Sequence, residues 1–261
     1  MKRRTITSYA QNCEDIIIYH ALRNEQKVFW IDVGANDPVY DSVTKILSDM
    51  GGHGINIEPQ AVYYDKLRDI RPRDINLQLG VSNKTGELML YGGGTTASFE
   101  RENGLKHNKD CYKVDVKTLT SICEINICEN QAIHFLKIDV EGWERNVLEG
   151  MDFTKYRPWI LCIEACRPGT EELDYSSWES LLLQNNYHYV RTVGLNRWYV
   201  AKEKKEIADR ILGIRQLKGF YRIKKYDKEK NLLKKTAVRI YWLDFMKPVR
   251  NTWRRIKQRV K

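Results

Sequence analysis

Five carboxylates fall where the sequence places the ends of sheet strands: Asp32, Glu58, Asp139 and Glu164 at strand tips, and Glu141 just past the third of them. In an open α/β sheet, ligands lie beyond the carboxyl ends of the strands. Several acids converging on one rim repel one another, so the rim calls for a cation or for hydrogen-bond donors. Two kinds of cation suit it. One is a ligand that carries an ammonium and a sulfonium. The other is a hard divalent metal such as Mg2+, held through oxygen by Asp139, Glu141 and Glu164, with Asp139 and Glu164 the pair singled out. His107, on a polar loop, is a further candidate for proton transfer. Glu141 and Glu144 also have a plainer role open to them, the compensation of a helix N-terminus.

The elements that must position these acids start with Phe29-Trp-Ile-Asp-Val-Gly-Ala-Asn-Asp-Pro38. Phe29, Trp30, Ile31 and Val33 form a continuous apolar run, as expected of a strand covered on both faces. Gly34 and Ala35 then remove side-chain bulk where the backbone must turn and approach a ligand. About 20 residues on, Gly54-Ile-Asn-Ile-Glu-Pro59 reads as a second strand ending in Glu58. A glycine turn after one strand and an acid at the tip of the next is the layout of a nucleoside site, the acid accepting from the ribose hydroxyls. The Gly-x-Gly-x-x-Gly cradle for a pyrophosphate is missing, which points to a ligand with a ribose and no phosphate: S-adenosylmethionine. The residues expected at that donor are Asp32, Gly34, Ala35, Asn36, Asp37, Glu58, Pro59, Gly80 and Val81.

The rest of the body alternates strands and helices. Ser8 to Asp15 precedes an apolar run and reads as a capped helix start whose polar residues either reach over the ligand or favour the helix end. A helix is expected over 41–50, ended by Gly51-Gly52, and another over 60–69. Ile75 to Val81 reads as the third strand, its end beside the ligand's base. Short strands are expected over 87–91 and 112–116. Between them Gly92-Gly-Gly94 opens a polar loop to Asp110, either a substrate lid or a mobile insertion. Ile133 to Asp139 and Pro158 to Glu164 are further strands. A helix follows over 175–184, and a hairpin turns at Gly194-Leu-Asn196. The fold class is α/β: a mostly parallel sheet with one reversed strand and helices on both faces.

The net charge of +10 is unevenly distributed over the 261 residues. Residues 202–261 hold 21 Lys and Arg against 6 Asp and Glu, whereas the preceding 201 residues hold 23 against 28. The chain divides accordingly into a body over 1–203 and a basic helical tail over 204–261. Val249, Trp253, Ile256 and Val260 recur at helical spacing among basic residues, the pattern of an interfacial helix drawn to an anionic membrane surface. Packing on the body or on a partner protein is the alternative, for this stretch and for the apolar segment 237–246. No apolar run is long enough to span a bilayer, and none follows Met1-Lys-Arg-Arg to make a signal peptide. Six cysteines without a Cys-x-x-Cys pair argue against structural zinc or a disulfide framework. A cytoplasmic chain, associated with the inner membrane surface through its tail, is expected.

At Ser8 to Asp15, Asp32 to Pro38, Gly54 to Pro59, Ile133 to Glu144 (IHFLKIDVEGWE), Arg157-Pro-Trp-Ile with Glu164-Ala165, and Gly194 to Arg197, the chain resembles the FkbM family of S-adenosylmethionine-dependent methyltransferases. The likeness is greatest to the branch found in glycan and lipopolysaccharide biosynthesis. It implies a Rossmann-like fold and O-methylation of a hydroxyl, most often on a sugar. It places Asp32, Gly34 and Glu58 at the donor and Asp139 near the reacting centre. Two features depart from it: Val193 stands where an Asp usually precedes the hairpin, and the glycine-rich loop is unlike the usual short one.

Transfer to a sugar hydroxyl requires in-line alignment and removal of a proton from a weak acid. A metal at Asp139 and Glu164 would lower the hydroxyl's pKa; without one, Asp139 or His107 serves as base. Two rivals remain. The basic tail suits an RNA ribose methyltransferase, although nucleic acid is the less favoured partner, and a tail-anchored module without activity is the third reading.

Overall fold

The computed structural model describes residues 6–106 and 109–214, together with the backbone of 220–222 and 236–237. β1 (Ile6–Ser8) leads into α1 (Glu14–Leu22), followed in alternation by β2 (Phe29–Val33), α2 (Lys45–Asp49), β3 (His53–Ile57), α3 (Ala61–Ile70) and β4 (Ile75–Leu77). An excursion comes next: β5 (Gly80–Val81), β6 (Gly86–Tyr91), α4 (Arg101–Gly104) and β7 (Cys111–Lys117). The chain then runs through α5 (Leu119–Asn126), β8 (Phe135–Ile138), α6 (Glu144–Glu149), β9 (Ile160–Glu164), α7 (Glu179–Gln184), β10 (Tyr187–Val193), β11 (Asn196–Ala201) and α8 (Lys205–Gly213). Short strand β12 (Phe220–Arg222) pairs with β1, and β13 (Thr236–Ala237) pairs with β12, in a separate three-stranded ribbon.

The main sheet has the order β10-β11-β9-β8-β2-β3-β4, and only β11 runs against the rest. β2 is central because all five of its residues are buried. Alternate side chains serve two cores. Trp30, Phe135, Ile160 and Trp198 pack against Ile16, Ile17, Leu47, Ile207 and Ile211 on one face. Ile31, Leu136, Leu161 and Tyr199 meet Leu119, Val147, Leu148, Trp178 and Leu182 on the other. This explains why the strands read as unbroken apolar runs rather than as alternation.

The same pleat sorts the polar residues. Asn56, Asp32, Lys137 and Cys162 lie side by side in register on the Trp30 face. Two residues further along each strand, on that same face, come Glu58, Gly34, Asp139 and Glu164. Strand order reverses between β2 and β8, since the chain leaves β2 toward β3 and returns on its other side. That switch point is where an open sheet holds its ligand.

Several expectations change. The third strand is broken: β4 belongs to the main sheet, whereas β5 joins β6 and β7 in a three-stranded sheet of its own. The 41–50 helix shrinks to α2, and α7 begins only at Glu179. α5 was not anticipated. Thr118 caps it, accepting from the Ser121 N–H at 3.1 Å, and Leu119, Ile122 and Cys123 are its buried face. α8 packs on the body: Ile207, Ala208 and Ile211 are part of the core, and Arg210 donates to the carbonyl of Ala21 at 2.8 Å. All six cysteines are free thiols. Among the described residues, no helix is long and apolar enough to cross a membrane. His107, the helix expected over 249–260 and the segment 237–246, apart from the backbone of Ala237, lie outside the described residues.

If α8 belongs to the body, Ile211→Ala removes a fully buried side chain and lowers the free energy of unfolding by about 2–5 kcal/mol. Urea titration of the full chain measures this. A change within about 0.5 kcal/mol returns the boundary to 203.

Candidate active site

A cavity of about 660 Å³ opens at the carboxyl edge of the sheet, over the switch point. Its floor is made where β2 and β8 end. Gly34 has a φ of 77°, and a Cβ there would overlap the carbonyl oxygen of Asp139. The two strand tips therefore meet backbone to backbone, which only glycine permits. The N–H groups of Gly34 and Ala35 both donate to the Ile57 carbonyl, at 3.0 and 3.1 Å, and lock the turn to β3.

Glu58 lies on this wall, 2% exposed. Its carboxylate accepts from the N–H of Asn36 at 2.9 Å and of Gln60 at 2.9 Å. Burial pushes its pKa up to about 7, against the pull of those two N–H groups and of Lys137. The two amides therefore aim the carboxylate from the wall of the cavity. Ala35, Asn36, Pro59 and Gly80 also face the cavity.

The glycine-rich loop is the roof. Gly94 donates to Gln60 Oε1 at 2.8 Å, and its carbonyl accepts from Gln60 Nε2 at 2.8 Å and Asn36 Nδ2 at 3.3 Å. Further along, Ser98 Oγ donates to the carbonyl of Glu141 at 2.8 Å. The loop is thus tied to the Glu58 end and to the acid end alike. From the other side, Gln11 and Asn12 reach the cavity. Asn12 is held by Glu14, whose carboxylate accepts from the Asn12 N–H at 2.8 Å and from Asn196 Nδ2 at 3.0 Å.

Asp139, Glu141 and Glu164 converge, with carboxylate oxygens all within 4.8 Å of one another. Beneath them is Lys137, a residue the sequence reading passed over. Its Nζ is 3.2 Å from Asp139 Oδ2 and 3.7 Å from Asp32 Oδ1. Burial alone would lower the lysine's pKa, but Asp139 and Asp32 outweigh it and hold the ammonium charged. Burial, with Asp139 and Glu144 adding to it, pushes Glu141 up to about 8. Glu164 is raised well above its ordinary value, by burial first and then by Asp139 and Glu141. Glu144 has the plainer role: its carboxylate accepts from the N–H groups of Val140 and Gly142, both at 3.2 Å, and closes the turn after β8.

Three expected donor residues sit elsewhere. Asp32 is one row below the rim, off the cavity wall. It accepts from Thr44 Oγ1 at 2.7 Å, which in turn accepts from Arg71 at 2.9 Å. Its work is to hold Lys137. Asp37 turns into its own loop, accepting from the N–H groups of Val39 and Tyr40 at 3.1 and 3.0 Å. Val81 is 2% exposed in the second core, because the β5 pleat turns it away from the cavity. Lys137 and Gln60 are the additions, and Lys137 left a signal, since period two from Asp139 puts it on the same face; Asn12 belongs to the Ser8 to Asp15 stretch, for which a reach over the ligand was one of two expected roles.

A doubly wound sheet with one reversed strand, holding a nucleoside-sized cavity at its switch point, defines a Rossmann-like α/β class consistent with methyl transfer. Residues 32–189 match the family described as the methyltransferase FkbM domain, and the chain belongs to that family of methyltransferases. No match was found among curated proteins.

Two outcomes follow. Gly34→Ala forces β2 and β8 apart, so the variant melts at lower temperature than the parent and loses ligand binding at the cavity; an unchanged melt contradicts the close approach. The second concerns pH. Asp15, Glu58 and Glu144 near 7 and Glu141 near 8 all lie above their unfolded values. The native chain therefore keeps protons that the unfolded chain has shed, and stability falls as pH rises from about 5 to 8. Thermal melts of the ligand-free protein should show Tm dropping across that window; a flat or rising Tm contradicts the burial of these acids.

Proposed function

We propose that this methyltransferase moves the methyl group of S-adenosylmethionine onto a sugar hydroxyl in a glycan, lipopolysaccharide or capsule-type acceptor. One observation carries the reading: Glu58, aimed by two backbone N–H groups, and the Asp139 cluster line one cavity from strands on either side of β2. The donor fits the residues present. Glu58 accepts from the ribose hydroxyls, Gly34 and Ala35 leave room for the chain between ribose and sulfur, and Leu79, Leu90 and Phe99 give the base an apolar wall. The acids offset the ligand's positive charges.

Bound there, the donor supplies an electrophilic methyl carbon on a sulfonium. The protein's part is to hold an acceptor oxygen in line with it and to take the proton. Asp139 is the accessible acid, its side chain 36% exposed, and Lys137 fixes its orientation. As the carbon–sulfur bond breaks and the carbon–oxygen bond forms, the hydroxyl proton passes to that carboxylate. Glu141 and Glu164 border the same point.

The wall favours a neutral acceptor over RNA. Among the described residues its acids are Asp41, Glu58, Asp139, Glu141, Glu164 and Glu171 against Lys137 alone, and the wall stays acidic even while Glu141 and Glu164 hold protons. Phosphates along such a wall would be repelled. The basic segment beyond 214 supports a place at an anionic membrane surface, where lipid-linked acceptors are assembled.

Transfer of labelled methyl from S-adenosylmethionine to a panel of glycans, with RNA as a parallel acceptor, tests the reading. Asp139→Asn should lower turnover at least about 100-fold and leave donor binding within about 2-fold. Glu58→Ala should weaken donor binding itself. Label in RNA and none in any glycan overturns the acceptor assignment.

A further inference from the structure

The cluster of Asp139, Glu141 and Glu164 is short of partners in a way the rest of the cavity is not. Glu164 is 8% exposed, yet its Oε2 is buried without a hydrogen-bond partner among the described residues. The nearby ammonium, Lys137, is engaged by Asp139 and Asp32. The neighbouring acid, Glu144, is turned onto the backbone N–H groups of Val140 and Gly142. Lys106, the other cation that acts on Glu141, donates to Asn103 Oδ1 at 3.2 Å and to the Pro168 carbonyl at 3.3 Å, and the Glu164 side chain meets another acid, Asp139. A buried carboxylate oxygen left without donor or cation is costly, and here it points at two further carboxylates.

Glu141 is also built in. Its φ is 55°, a left-handed backbone for a residue other than glycine, followed by Gly142 at 101°. The carbonyl of Glu141 accepts from Ser98 Oγ at 2.8 Å. The turn and the roof together direct its side chain at the tips of β8 and β9. An accidental meeting of acids would not need a strained residue held from two sides.

We propose that Asp139, Glu141 and Glu164 form a binding site for one hard divalent cation, of the Mg2+ or Mn2+ class, with coordination positions left open toward the cavity. The donor set is all oxygen, which selects such ions over zinc or copper. Oxygens about 2.1–2.4 Å from a central ion lie at most about 4.2–4.8 Å apart, and one oxygen from each of the three carboxylates lies within 4.8 Å of the other two. Small rotamer changes close the shell. The ion's place in catalysis rests on the methyl-transfer reading: an acceptor hydroxyl in an open position becomes more acidic, so that Asp139 can take its proton. Binding of the ion does not rest on that reading.

The test uses the full chain, stripped with chelator and titrated with Mn2+ alone, free Mn2+ being followed by electron paramagnetic resonance. One saturable site per chain is expected. Glu164→Gln and Glu141→Gln should each weaken Mn2+ at least about ten-fold, with melting curves confirming that both are folded. Absence of saturable binding, or an affinity unmoved in both folded variants, overturns the proposal. Calorimetry with S-adenosylhomocysteine on the same samples keeps the two ideas apart. Homocysteine-product binding without Mn2+ binding removes the metal site and leaves the transferase reading. Mn2+ binding lost in both variants, without product binding, supports the metal site and removes the transferase reading.

Discussion

One buried ammonium, Lys137 Nζ, sits under the carboxylates at the point where the sheet reverses its winding. Removing a lysine from water is costly unless its charge is met. Asp32 and Asp139 meet it from two adjacent strands, and the register of β2 and β8 places all three on one face. Asp32 is in turn braced by Thr44, and Thr44 by Arg71, which pairs with Asp74 at 2.7 Å. The rim acid Asp139 is therefore aimed by a chain of buried polar contacts reaching from β8 to the turn before β4. Each member, if removed, leaves its neighbour with a charge or a buried polar group less well matched, which makes the arrangement specific rather than merely stabilising.

The Glu58 end is assembled differently, almost wholly from backbone. Amide groups of Asn36 and Gln60 hold the Glu58 carboxylate, and Gln60 and Asn36 side chains hold Gly94 in the roof. A site built from main-chain donors depends little on which side chains surround it. The same loop reaches the acid end through Ser98. Roof and floor are consequently one hydrogen-bonded unit, and the cavity between them has a fixed length.

Much of this was legible in the sequence because strand ends announce themselves. Apolar runs stop at Asp32, Glu58, Asp139 and Glu164, small residues follow the first, and the reversed hairpin is marked by Gly194, whose φ is 57°. What the sequence obscured has physical causes. Asp32 was placed at the ligand because it ends a strand, but the pleat sets it a row below the rim, and only pairing register reveals that. Val81 looked like the continuation of a strand that in fact changes sheets. α8 carries so many charges that it reads as tail, while its three buried residues anchor it to the core. The glycine run gave no hint of order, since Gly94 is held by Gln60 and Asn36, 34 and 58 positions away in the chain.

Glu58 and Asp139 should face one ligand across one cavity. A structure of the chain soaked with S-adenosylhomocysteine decides this. The ribose hydroxyls are expected on the Glu58 carboxylate and the sulfur over Gly34, turned toward Asp139. A ligand seated elsewhere, or a cavity that stays closed to it at saturating concentration, would show that the two acids do not share it.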